Sequence, residues 1–133
     1  YLEGYLWDPE EPRAAMREAI DLARRAGTRV AFTLSDSFVV ERHRADLDRL
    51  LGEGAIDILF ANEAEALSLT GAGDFESAVR AIAERVPTAV VTRSEQGAVA
   101  VRGEHRAFVA AEPIERLVDT TGAGDLFAAG FLT

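Results

Sequence analysis

The sequence predicts an α/β domain of three layers (αβα), a mostly parallel sheet with helices on both faces. Apolar runs of four to seven residues alternate along the 133-residue chain with longer segments whose apolar residues recur at helical spacing. Such a chain buries both kinds of element by stacking helices on a sheet. Two short runs, AVAVRG and HRAFVAA, meet around Gly103 and Glu104 and predict an antiparallel hairpin added near the sheet edge. In open sheets of this class ligands gather at the carboxyl ends of the strands, where loops feed helix N-termini. Motifs that directly follow strands therefore carry the functional weight.

The opening YLEGYLW reads as an apolar strand. From Glu10 to Ala26, early acids, late arginines and the spacing of Ala14, Ala15, Ile20, Leu22 and Ala23 predict an amphipathic helix stopped by Gly27. TRVAFTLS (28–35) reads as a buried strand, 38–51 as a helix closed by Gly52, and AIDILFA (55–61) as the next strand. A short helix begins near Asn62, another spans 74–86, and TAVVTR (88–93) is a strand. After the hairpin, ERLVD (115–119) is a last extended piece, and LFAAGFLT is a helix apolar on nearly every side, expected to be buried. Both ends read as cut, one lacking an initiator methionine and the other stopping inside this apolar run. Residues 1–133 are thus expected to form a single partial domain.

Fourteen basic against 23 acidic residues give a net charge of −9, and no basic stripe interrupts it. That surface repels nucleic acid and anionic membranes and favours a small-molecule partner. No segment approaches the ~20 apolar residues of a bilayer-spanning helix. With no signal peptide at the start, the expected compartment is the cytoplasm. Cysteine is absent, which removes disulfides, thiolate nucleophiles and Cys-ligated zinc. Lysine is absent too, so a Walker-type phosphate loop and Schiff-base chemistry are missing. Phosphate chemistry must then use backbone amides, helix ends, arginine or metal. His43 and His105 lack partners at metal-ligand or triad spacing and are expected at the surface.

The pentapeptide TGAGD occurs twice. The first copy (70–74) links two helices: Gly71 can end one in the left-handed conformation, and Asp74 can cap the next through the amide of Glu76 or Ser77. The second copy (121–125) follows an extended segment and opens the last helix. There Gly122, Ala123 and Gly124 offer amides at the positive end of the helix dipole, a site for an anion. Asp125 follows in the first turn. A carboxylate beside an anion hole repels the anion, a cost that makes sense where the acid must deprotonate a hydroxyl attacking it. A plain helix-terminal charge is the alternative. A dinucleotide fingerprint does not fit, because Phe127 stands where a third glycine is required.

DTTGAGDLFAAGFL resembles the C-terminal signature of the PfkB family, the ribokinase-like sugar and nucleoside kinases. ILFANEAEALSLTG is similar to that family's strand followed by N-x-x-E, and AVVTRSEQGAVAV to its strand, Thr-containing nucleotide loop and returning strand. The three motifs stand in the family's order, each after a strand. The resemblance implies a ribokinase-like αβα fold and ATP-dependent transfer of the γ-phosphoryl group to a hydroxymethyl of a sugar or nucleoside. Asp125 would be the base and Gly122, Ala123 and Gly124 the anion hole. Asn62 and Glu65 would organise Mg²⁺ and phosphates largely through water, although they also spell a capping box. Thr92, Ser94 and Gly97 would form the nucleotide loop, where Ser94 replaces a frequent glycine.

Asp119 resembles a residue near the monovalent-cation site, K⁺, of some members, with a loop-stabilising role as the alternative. Glu3 resembles a sugar-contacting carboxylate, or is a buried acid satisfied by amides. Asp36 reads as a helix N-cap, with a substrate-side role open, and Arg93 as facing water, with a phosphate contact as the alternative. Full-length relatives of the family it resembles are roughly twice as long or more, so the isolated residues are expected to lack part of the substrate site. The wording ANEAE and SDSF resembles adenosine-kinase-like members, while ribokinase- and fructokinase-like specificities and a homodimer stay open. A non-catalytic α/β module binding a phosphorylated ligand is the alternative from another class.

Overall fold

The computed structural model describes residues 1–133. A six-stranded sheet runs in chain order: β1 (Leu2–Glu3), β2 (Ala31–Thr33), β3 (Ile58–Asn62), β4 (Thr88–Thr92), β5 (Ala98–Arg102) and β6 (His105–Val109). The first four are parallel, and the β5–β6 hairpin continues the sheet antiparallel. The helices are α1 (Glu10–Ala26), α2 (Ser37–Gly52), α3 (Glu63–Thr70), α4 (Phe75–Ala83) and α5 (Ala123–Leu132).

Side-chain alternation divides the sheet into two faces. Phe32, Leu34, Leu59, Ala61, Ala89, Val91 and Val99 meet Met16, Ile20, Val39, Leu47, Ala66, Phe75 and Ile82 of α1 to α4 in the main core. Ala31, Ile58, Phe60 and Val90 point the other way, against Ala128 of α5. The second helical layer is thus one helix, and α5 is buried only at Ala128, with Phe127 half-buried. This corrects the expectation that the apolar last helix is buried all round. Within residues 1–133 a lone helix presses one stripe onto the sheet, and Leu126, Phe131 and Leu132 are exposed.

Other expected elements shift for identifiable reasons. YLEGYLW contributes a strand of two residues and then turns through a 3₁₀ segment, Gly4–Trp7. A Cβ on Gly4 would collide with the carbonyl oxygen of Leu34, so the turn needs glycine there. Trp7 instead points into the core, fully buried against Phe32. On α1 the buried stripe is Met16 and Ile20; Ala14, Ala15 and Leu22 face solvent. The segment 115–119 finds no strand to pair with and stays irregular. His43 is not a surface residue: it is mostly buried, its Nε2 lies 2.9 Å from Asp8 Oδ1, and α2 kinks at this position. No helix is long and apolar enough to cross a membrane.

Candidate active site

A cleft of about 470 Å³ opens at the carboxyl rim of the parallel strands. Glu3 at the end of β1, Thr33 and Ser35 at the end of β2, Asn62 on β3 and Thr92 on β4 line one side. Gly122, Gly124 and Asp125 at the start of α5 line the other. Parallel register explains the convergence: Glu3 pairs with Thr33, and Asn62 with Thr92, so residues distant in sequence end at one level. Glu3, Asn62, Glu65, Thr92, Gly122, Gly124 and Asp125 line this one cleft, whereas Ser94, Gly97, Ala123 and Asp119 do not.

Gly122 is left-handed (φ 75°) and starts α5. The amides of Gly122, Gly124 and Asp125 donate to no protein acceptor, so three N–H groups stand free at the positive end of the helix. Ala123 is a correction: its amide donates to the Thr120 carbonyl at 3.0 Å, closing the turn that sets Gly122, and is not free for an anion. Asp125 is exposed at the cleft mouth, where its Oδ1 accepts a hydrogen bond from the Tyr1 hydroxyl at 3.0 Å. Just before it, Asp119 Oδ1 accepts from the Thr121 amide (2.8 Å) and hydroxyl (2.7 Å), which holds its carboxyl below the usual range. This is the loop-stabilising arrangement.

Asn62 and Glu65 form the full capping box of α3. Asn62 Oδ1 accepts from the Glu65 amide (2.9 Å), while Glu65 takes the Asn62 amide on Oε2 (2.9 Å) and its Nδ2 on Oε1 (2.7 Å). Glu65 is nevertheless buried, and desolvation pushes its carboxyl above the ordinary 4.5; the Asn62 amide opposes the shift and the negative Asp36 adds to it. No group of three or more His, Cys, Asp or Glu side chains converges as a metal cage. Both Glu65 oxygens being engaged, these residues suit an ion held through water rather than by direct ligation.

The loop after β4 keeps its shape in spite of Ser94. Ser94 adopts φ 48°, in the region glycine favours. Gly97 (φ 92°) is required because a Cβ there would run into the Val109 carbonyl of the neighbouring strand. Arg93 keeps about a third of its side chain exposed, while its Nε pairs with Glu63 (3.0 Å) and its guanidinium lies 4.6 Å over the Phe75 ring. Asp36 caps α2 through the Phe38 amide at 3.0 Å. Sequence reasoning overlooked Tyr1, Tyr5 and Ser35. The first was detectable from strand alternation, which puts it on the same face as Glu3. Ser35 (φ 66°) had no signal, since a left-handed serine follows from the turn it must make, with the Asp36 amide reaching the Leu34 carbonyl at 2.8 Å.

Comparison with known proteins places this geometry. Residues 1–133 match the pfkB family carbohydrate kinase description, and the chain belongs to that family. A cytidine kinase from Thermococcus kodakarensis is 40% identical over 115 residues, covering 84% of this chain and 41% of that protein. The crystal structure of adenosine kinase from Sinorhizobium meliloti superposes with a TM-score of 0.93 at 51% identity, covering 98% of this chain and 40% of that one. A double-mutant fructokinase from Vibrio cholerae, solved with fructose, ADP and potassium ion bound, gives a TM-score of 0.84 at 27% identity, with coverages of 98% and 43%. The fold is the ribokinase-like α/β fold, and the chain spans about two fifths of the length of these relatives.

Proposed function

We propose that this chain carries the phosphoryl-transfer half of an ATP-dependent kinase whose acceptor is a hydroxymethyl group of a sugar or nucleoside. The observation that supports it best is the start of α5: three unpartnered amides and the Asp125 carboxylate border one cleft, opposite the strand-end residues Glu3, Asn62 and Thr92. In the reaction the acceptor oxygen forms a bond to the γ-phosphorus while the bond to the leaving ADP breaks. Its proton passes to Asp125. The amides of Gly122, Gly124 and Asp125 hold the charge on the transferring phosphoryl oxygens, which needs no lysine. Thr92 contacts the nucleotide, and Glu3 takes acceptor hydroxyls.

A divalent ion, Mg²⁺, would neutralise charge on the ATP phosphates when bound, with Glu65 and Asn62 ordering its water shell. Asp119, with Oδ1 engaged in its own turn, retains Oδ2 for a monovalent cation such as K⁺. The high identity to an adenosine kinase and a cytidine kinase favours a nucleoside acceptor. Because the chain spans about two fifths of those relatives, the isolated 133 residues are expected to bind nucleotide weakly and turn over nothing.

The test is Asp125→Asn in the full-length kinase carrying this sequence, assayed with Mg-ATP and a panel of nucleosides and sugars. Losing a general base costs about a hundredfold or more in kcat, with ATP still bound by the amides. Near-normal kcat in this variant rejects the base assignment. Nucleotide binding without turnover across the panel favours a sensor module instead.

A further inference from the structure

Tyr1 has no role in the chemistry described above, yet it makes the one side-chain hydrogen bond that Asp125 receives. It lies one residue before β1, and alternation puts its side chain on the α5 face together with Glu3. The ring is held in place by aromatic contacts: Tyr1 meets Phe60 edge-on with centroids 6.3 Å apart, and Phe60 meets Phe131 of α5 the same way at 5.5 Å. At the end of this stack the phenol donates to Asp125 Oδ1 at 3.0 Å, across 124 positions of sequence, and Oδ2 is left without a protein partner.

We propose that Tyr1 is a positioning residue for phosphoryl transfer: its hydroxyl pins one oxygen of Asp125, so that the other is presented to the acceptor hydroxyl. This rests on Asp125 being the base. A carboxylate on an exposed helix turn otherwise rotates freely about its side-chain bonds, and a single charge-assisted hydrogen bond from a half-exposed ring resting edge-on against Phe60 restrains it. Partial burial of the phenol, followed by its hydrogen bond to Asp125 and then that carboxylate's charge, raises the Tyr1 hydroxyl to about 12, so it stays a donor and does not compete for the substrate proton.

The test is Tyr1→Phe in the full-length kinase, which removes one oxygen and keeps the aromatic stack. The expected result is a fall in kcat of roughly tenfold, with KM for ATP and acceptor and the Tm unchanged. In an Asp125→Asn background the same change should cost nothing further, since the group it positions no longer takes a proton. Unchanged kcat in Tyr1→Phe, or an equal loss in both backgrounds, overturns the proposal. If Asp125→Asn abolishes turnover while Tyr1→Phe behaves as wild type, the positioning role alone falls. If Asp125→Asn itself remains active, the base assignment falls with it.

Discussion

Asp74 and Asp125 close identical pentapeptides, and their carboxylates have different neighbours. Asp74 Oδ1 accepts the Ser77 amide at 2.9 Å and Oδ2 the Ser77 hydroxyl at 2.8 Å, so both oxygens are consumed in starting α4. Asp125 lies inside the first turn of its helix, past the capping position, and spends only Oδ1. The preceding residue geometry causes the difference. Gly71 is left-handed at the end of α3, three residues before Asp74, and the chain must cap again before it can resume. Gly122 is itself the cap residue of α5, and the helix begins at once. Asp74→Asn in the full-length protein should therefore lower the Tm slightly and leave the proposed phosphoryl-transfer rate unchanged, as thermal melts and steady-state rates would show.

At the scale of elements, the link from β4 to β5 is held by two backbone conformations that only one of its residues adopts without cost. Ser94 is exposed and left-handed at φ 48°, whereas Gly97 must leave room for the Val109 carbonyl. A non-glycine residue in that region costs about 1 kcal/mol or more, partly offset by the freedom glycine loses on folding. Ser94→Gly is accordingly expected to stabilise the chain by roughly 0.5–1 kcal/mol, read as a higher urea midpoint. Gly97→Ala should do the opposite and cost more than about 3 kcal/mol, because the obstruction is backbone of a paired strand and cannot swing aside. The β5–β6 hairpin would lose its register first.

For the whole molecule, pH acts through a few carboxyls with opposite signs. Asp8 titrates below the ordinary 3.8 through its hydrogen bond with His43, Asp74 through the Ser77 amide, and Asp119 through the Thr121 amide. Asp46 does so although partial burial, the largest single influence, raises it: the charge and hydrogen bond of Arg17, with Arg49 and Trp7, together outweigh that burial. A depressed folded value means the unfolded chain takes up protons first as pH falls. Their stabilisation is complete above the ordinary 3.8 and is lost as the pH drops through the folded values. Glu65 has the reverse sign: raised by burial, it contributes fully below the ordinary 4.5 and loses that contribution as pH rises through its folded value. Urea midpoints should thus rise as the pH is lowered from neutral toward the ordinary Glu value, then fall on the acid side of the ordinary Asp value. Glu65→Gln should remove the first limb and keep the second.

Local rules made much of this protein legible from its residues alone. Strand and helix order, the hairpin around Gly103 and Glu104, the capping box of Asn62 and Glu65 and the cap at Asp74 all arise from interactions within a few positions, so the sequence carries them openly. The strand-end motifs also pointed to the rim where the cleft forms, since parallel strands deliver their carboxyl ends to one side. Other features needed the packed molecule. The Ala123 amide is engaged by Thr120, α5 buries a single stripe, His43 reaches Asp8, Arg93 covers Phe75, and Tyr1 meets Asp125. Most of these depend on groups tens of residues apart becoming neighbours, and all depend on which donors and faces remain unclaimed after packing. Periodicity along a chain reports which face an element presents, whereas only three-dimensional packing settles what that face meets.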